Sequence, residues 1–172
     1  MTQFDELNAA YWDSFLHAID ARDSCLAAAA TMIDEIRRRL VIPDDNFAYF
    51  PFDENYAGTG GCHPMQAGGF IEDGWFEVKF LITFQRDERT WPTQPVIFAL
   101  FLQSQSEEKS PGELWRVKLF PDDAPLNVDL AAQDNLTKLC DRFFQHAQKF
   151  MSMKITGSID GREQKRPIGY AR

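Results

Sequence analysis

From Phe76 to Phe84, apolar residues recur at every second position. Phe76, Val78, Phe80, Ile82 and Phe84 fall on one side, and Trp75, Glu77, Lys79, Leu81 and Thr83 on the other. Successive side chains of an extended chain point to opposite faces, so this pattern is a strand with one dry face and one mixed face. Val96 to Leu102 is apolar throughout, and its seven residues between Pro95 and Ser104 fit a central strand better than a helix. Leu114 to Phe120 puts Trp115, Val117 and Leu119 on one face and Arg116 and Lys118 on the other. Phe47 to Phe52 is short and aromatic. Its Pro51 has no N–H to give a ladder, which makes this an edge strand. The links Arg86 to Pro92 and Gln103 to Gly112 carry turn residues and lack a crossover helix, so the sheet is expected to be largely antiparallel, with about four to five strands.

Helical spacing brackets this block. Phe4, Leu7, Tyr11, Phe15, Ile19, Leu26, Ile33, Ile36 and Leu40 are separated mostly by three and four, and Pro43 ends the run. One helix from Phe4 to Val41 would measure about 57 Å, against about 40 Å for a compact domain of this size. It must overhang or break. Asp20 to Ser24 is the expected break, because Asp23 or Ser24 can cap a second helix through Ala27 to Ala30. After Pro121 to Pro125, the segment Asp129 to Met153 returns to helical spacing, with Asn127 or Asp129 as its cap. The order helix, strands, helix predicts an α+β fold, an antiparallel sheet flanked by N-terminal and C-terminal helices. Residues 1–156 form the expected single domain, and the Gly-, Pro- and charge-rich residues 157–172 an expected flexible basic tail.

Charge excludes some partners. The chain has 18 Lys and Arg against 26 Asp and Glu, a net charge of −8. Lys154 to Arg172 holds 5 − 2 = +3, which leaves 13 − 24 = −11 on the rest. A body that acidic repels phosphate backbones and steers basic proteins toward itself, so direct nucleic-acid binding is not expected. No apolar run approaches the roughly 18 residues of a membrane span, and the first residues lack the basic and apolar regions of a secretory signal. With Cys25, Cys62 and Cys140 odd in number and unpatterned, the expectation is a cytoplasmic protein with reduced thiols.

Signals for catalysis are sparse. Gly58-Thr59-Gly60-Gly61-Cys62-His63-Pro64 combines flexible residues with a thiol and an imidazole, yet it lacks the Lys-Ser or Lys-Thr pair of a phosphate loop and the final glycine of a dinucleotide fingerprint. Cys62 and His63 are adjacent, so in extended chain they point apart, and His17 or His146 would have to serve as base. No Cys-x-x-Cys, His-Glu-x-x-His or calcium loop occurs, and Cys140 and His146 fall about 120° apart on a helix. No metal or cofactor is expected. The acidic pairs Asp44-Asp45, Asp53-Glu54, Glu72-Asp73, Glu107-Glu108 and Asp122-Asp123 lie in predicted turns, where solvation and turn capping account for them.

A different use of these residues is suggested by the sheet. Trp75, Leu81, Ile97 and Phe101 would make a second apolar face that two terminal helices do not reach. Acidic turns with Asp53, Glu54, Glu72 and Asp73, beside Trp75, Trp91 and Trp115, would then form an acidic, aromatic-bearing surface for a protein partner, since aromatics anchor interfaces and charge steers encounter. The expected function is a non-enzymatic protein-binding module of chaperone, immunity or regulatory type, with a basic protein or a second copy of the chain as partner. The alternatives are a small enzyme or ligand pocket using the Gly58–His63 loop, and mimicry of DNA by the carboxylates.

Overall fold

The computed structural model describes residues 2–53, 61–84, 94–105, 114–120 and 123–156. Glu54, Gly58, Thr59, Gly60, Trp91, Glu107, Glu108, Asp122, the Arg86–Pro92 link and the tail 157–172 lie outside the described residues. Two helices, α1 (Gln3–Leu40) and α2 (Gln133–Thr156), pack on one face of a six-stranded antiparallel sheet. Its strands are β1 (Phe47–Tyr49), β2 (Gly68–Phe70), β3 (Phe76–Phe84), β4 (Gln94–Ser104), β5 (Leu114–Lys118) and β6 (Leu126–Asp129).

The spatial order is β1-β3-β4-β5-β6, and β2 extends the β1 edge by pairing with β3. The β3–β4 ladder is the longest, running from Phe76 opposite Leu102 to Phe84 opposite Gln94. Its period-two pattern works as expected. Phe76, Val78, Phe80 and Ile82 are buried with Val96, Phe98, Leu100 and Leu102, and Trp115 and Val117 of β5 continue the same layer. Cys25 to Ile36 of α1 and Leu136 to Phe143 of α2 close it into one core. Phe80, Phe98 and Phe143 stack at its centre, with ring centroids 4.9 to 5.9 Å apart.

The two helices are also tied at the surface. The Glu35 carboxylate accepts from the Arg38 guanidinium at 2.6 and 2.9 Å and from the Gln133 amide at 2.9 Å. Arg38 in particular holds that carboxyl below its usual range. Helix α1 stops where Val41 takes a left-handed conformation (φ 52°) and Pro43 follows.

Three expectations need correction. Helix α1 does not break at Asp20 to Ser24; it runs unbroken for 38 residues. No Gly or Pro interrupts it, Thr2 and Asp5 form a capping box at its start, and the Arg22 guanidinium ties it to the Met65 carbonyl at the point where a cap was expected. Next, Asn127 and Asp129 do not cap α2 but belong to β6, paired with β5. Asp129 caps a turn instead, accepting from the Ala131 N–H at 2.9 Å. Finally, β2 and β6 raise the strand count to six. Both are too short, and β2 too rich in glycine, to show a period in sequence.

Candidate functional site

A helix longer than the domain beneath it has to project. Burial in α1 begins at Cys25, and residues 2–21 are all exposed. About 30 Å of helix, Gln3 to Arg22, therefore stands clear of the body as an arm. Phe4, Leu7, Tyr11, Trp12, Phe15, Leu16 and Ile19 are exposed along it, from 73% at Phe4 to 39% at Ile19. Tyr11, Trp12 and Phe15 contact one another with ring centroids 5.7 to 6.3 Å apart.

At 100° per residue the core of this stripe lies within about 40° of the face that α1 buries from Cys25 onward. One amphipathic pattern thus meets the sheet in its second half and solvent in its first. Asp5, Glu6, Asp13 and Asp20 accompany the stripe against a single basic residue, Arg22, which gives the arm a net charge of −3 with His17 neutral, and Asp23 follows directly after it. Thr2 hydrogen bonds hold the Asp5 carboxyl below its usual range.

The outer face of the sheet is not the large bare patch the sequence implies. Phe101 is only 6% exposed there, and Trp75, Leu81 and Ile97 are half-buried. The chain supplies part of the cover itself. The Phe52 ring lies against Gly69, where a Cβ would approach it to 2.5 Å, and 5.3 Å from Lys79 Nζ. Trp75 sits beneath cations, with Lys118 Nζ 4.4 Å and the Arg116 guanidinium 5.6 Å from its ring.

Of the residues expected to bind a partner, Asp53, Glu72 and Asp73 are exposed, the last two in the turn Glu72–Gly74 that leads into Trp75. Trp115 is not available. It is 3% exposed, because the same alternation that turns Arg116 and Lys118 outward turns the indole into the core. The sequence signal for the arm was present in Phe4 to Ile19, but the stripe read as core because its period matches that of the buried half.

No family model matches the chain, and comparison with curated proteins and with solved structures finds no match.

Cys62 and His63 do not come together as a nucleophile and base. Cys62 is half-buried against the core, and burial pushes its thiol up, the reverse of what an attacking thiolate needs. His63 is exposed, and its Nδ1 accepts the Met65 N–H at 3.3 Å as the cap of a 3-10 turn, Pro64–Gln66. His146, half-buried, lies against Phe120 with Nε2 3.4 Å from an Asp123 carboxylate oxygen. Cys25 and Cys140 are buried, and desolvation pushes both thiols up to about 11.

Among the described residues no three His, Cys, Asp or Glu side chains gather as metal ligands, and no helix is long and apolar enough to cross a membrane. An apolar cavity of about 540 Å³ opens at the far end of the domain from the arm. Leu40, Ile42, Ile82, Phe84, Phe143, Phe144, Ala147 and Met151 line it, with Gln148 as the polar group among them. Neither Cys62 nor His63 reaches it.

Proposed function

We propose that this protein is a non-enzymatic, acidic protein-binding module that recognises a basic partner protein through an acidic, aromatic-bearing surface centred on the arm of α1. One observation carries the reading: a helix that stands about 30 Å clear of its domain, with four carboxylates against one arginine and seven exposed apolar side chains. A helix so far from its own core gains nothing for the fold by being aromatic. Charge on such a rod steers a basic partner over a Debye length, and clustered aromatics are the side chains that anchor interfaces. The exposed turn with Glu72 and Asp73 adds negative charge on the body. The enzyme alternative loses support from the separation of Cys62 and His63.

The test is binding by the full chain to proteins of its native cell, compared with a Glu6→Lys, Asp13→Lys, Asp20→Lys variant. A basic protein should be retained by the native chain and released by about 1 M salt, where the Debye length shrinks to about 3 Å, and the reversed-charge arm should not retain it. Equal retention by both proteins would overturn the reading.

A further inference from the structure

The acidic surface leaves open what covers the apolar stripe. We infer that the stripe is covered by the arm of a second copy, the two α1 helices running antiparallel about a twofold axis near residue 13. This inference rests on the arm being the interaction surface and divides its two sides: the aromatics anchor a second copy, and the carboxylate side is left to the basic partner.

Area gives the first argument. With about 150–250 Å² on each aromatic side chain, the seven exposed side chains present on the order of 700–800 Å². The largest apolar patch of a typical monomer is about 300–600 Å², whereas one partner in a standard stable interface contributes about 800 Å².

Orientation follows from the shape of the stripe. At 100° per residue, Phe4, Leu7, Tyr11, Phe15 and Ile19 span about 120°, and Trp12 and Leu16 widen the apolar face by about 60° on one side only. The opposite flank carries Gln3, Ala10 and Ser14. In a parallel helix pair, unlike flanks face each other, which would set Trp12 and Leu16 against that small, polar flank. An antiparallel pair brings like flanks together, so Trp12 meets Leu16 of the second copy and each Leu16 meets a Trp12. Opposed helix dipoles favour the same arrangement.

Register follows from the stripe together with the length of the arm. Pairing Leu7 with Ile19 and Tyr11 with Phe15 sets Phe4 opposite Arg22, the residue at which α1 first touches its own body. Each tip therefore ends where the other body begins, beside the exposed Met65. A longer overlap would drive each tip into the other body.

Most of the arm's carboxylates are compatible with this pairing. Glu6, Asp13 and Asp20 lie on the back of the arm and stay in solvent for a basic partner. Asp5 and Asp23, on the Trp12 flank, approach each other at the two ends with one Arg22 beside each pair, and the net negative charge of both arms leaves repulsion in excess. Their repulsion makes the dimer one that salt strengthens, opposite to the complex with a basic partner.

The test is sedimentation of the full chain at about 10 µM, within the range expected for an interface of this size. A dimer is expected, with its dissociation constant falling as ionic strength rises from about 0.01 M to about 1 M. Tyr11→Glu with Phe15→Glu should leave a monomer whose thermal midpoint equals that of the native chain diluted to monomer, since neither residue touches the core. For orientation, Leu7→Cys and Ile19→Cys proteins, both carrying Cys62→Ser, are mixed and oxidised. A disulfide between the two different variants supports the antiparallel pair, and Leu7→Cys linking to itself overturns it. A monomer at every ionic strength, or a dimer that salt dissolves, also overturns it. A monomer that still loses its basic partner on Glu6, Asp13 and Asp20 reversal sinks the dimer and leaves the binding module standing. A dimer indifferent to that reversal does the opposite.

Discussion

The two halves of α1 are built from the same pattern and meet opposite fates. Between Cys25 and Ile36 the apolar positions are small or aliphatic, with Ala28, Ala29, Met32 and Ile33 buried against the sheet. Between Phe4 and Ile19 they are mostly aromatic or large, and all are exposed. Packing a helix closely onto a sheet favours small contacts, whereas anchoring a separate surface favours wide, rigid ones with few rotatable bonds. The change in residue size within one helix marks where intramolecular packing stops.

The sharpest way to break that contrast is to truncate one residue in each half. Ile33→Ala should cost about 2–5 kcal/mol and lower the thermal midpoint by many degrees, because it opens a cavity in a closed core. Phe15→Ala, measured in dilute protein, should cost less than about 0.5 kcal/mol. Equal costs would mean that the arm is packed against its own chain and that the contrast is false.

Cys25 sits on the boundary and sharpens the contrast by chemistry. Its thiol, pushed up to about 11 by desolvation, should hold about 100-fold less thiolate than an ordinary cysteine, so a thiol reagent should label it far more slowly than a Ser14→Cys variant in the arm. The sign for stability follows from the raised value. The contribution of neutral Cys25 and Cys140 is present in full below the ordinary thiol pKa and is lost as pH rises toward about 11. Denaturant midpoints measured upward from pH 8 should fall, and a Cys25→Ala, Cys140→Ala protein should show the flatter profile.

The smallest effect lies at the tip. Thr2→Ala removes the hydroxyl that accepts the Asp5 N–H and donates to its carboxylate. Amide exchange over the first turn should quicken while the thermal midpoint of the body stays put. Because Thr2 lowers the Asp5 pKa, the cap is intact above the ordinary carboxylate value and is lost as pH falls through the depressed one, so acid should reproduce the variant in the native chain. A shift in the body's midpoint would show the halves to be coupled.

How far the chain was legible depended on how many residues each signal spans. Strand β3 was read at its observed ends, Phe76 and Phe84, because nine residues of strict alternation have one solution. Strands β2 and β6, at three and four residues, carry no resolvable period and were placed by their pairing partners. Trp115 was misread as surface because its residue type suggested an interface, although its own strand pattern put it inward with Val117. Trp75 was read correctly as lying on the outer face, but its cover by Lys118 and Arg116 comes from a strand about forty residues away.

Local periodicity and turn chemistry, which act between neighbours, determined by themselves the α+β class, the antiparallel pairing and the inward face of β3. They also determined that α1 is amphipathic from end to end. Only the tertiary structure decided which part of that amphipathic face is core. Burial depends on the width of the sheet beneath, and the sheet runs out near Cys25 while the helix, lacking any glycine, proline or internal cap strong enough to stop it, continues for about 30 Å more.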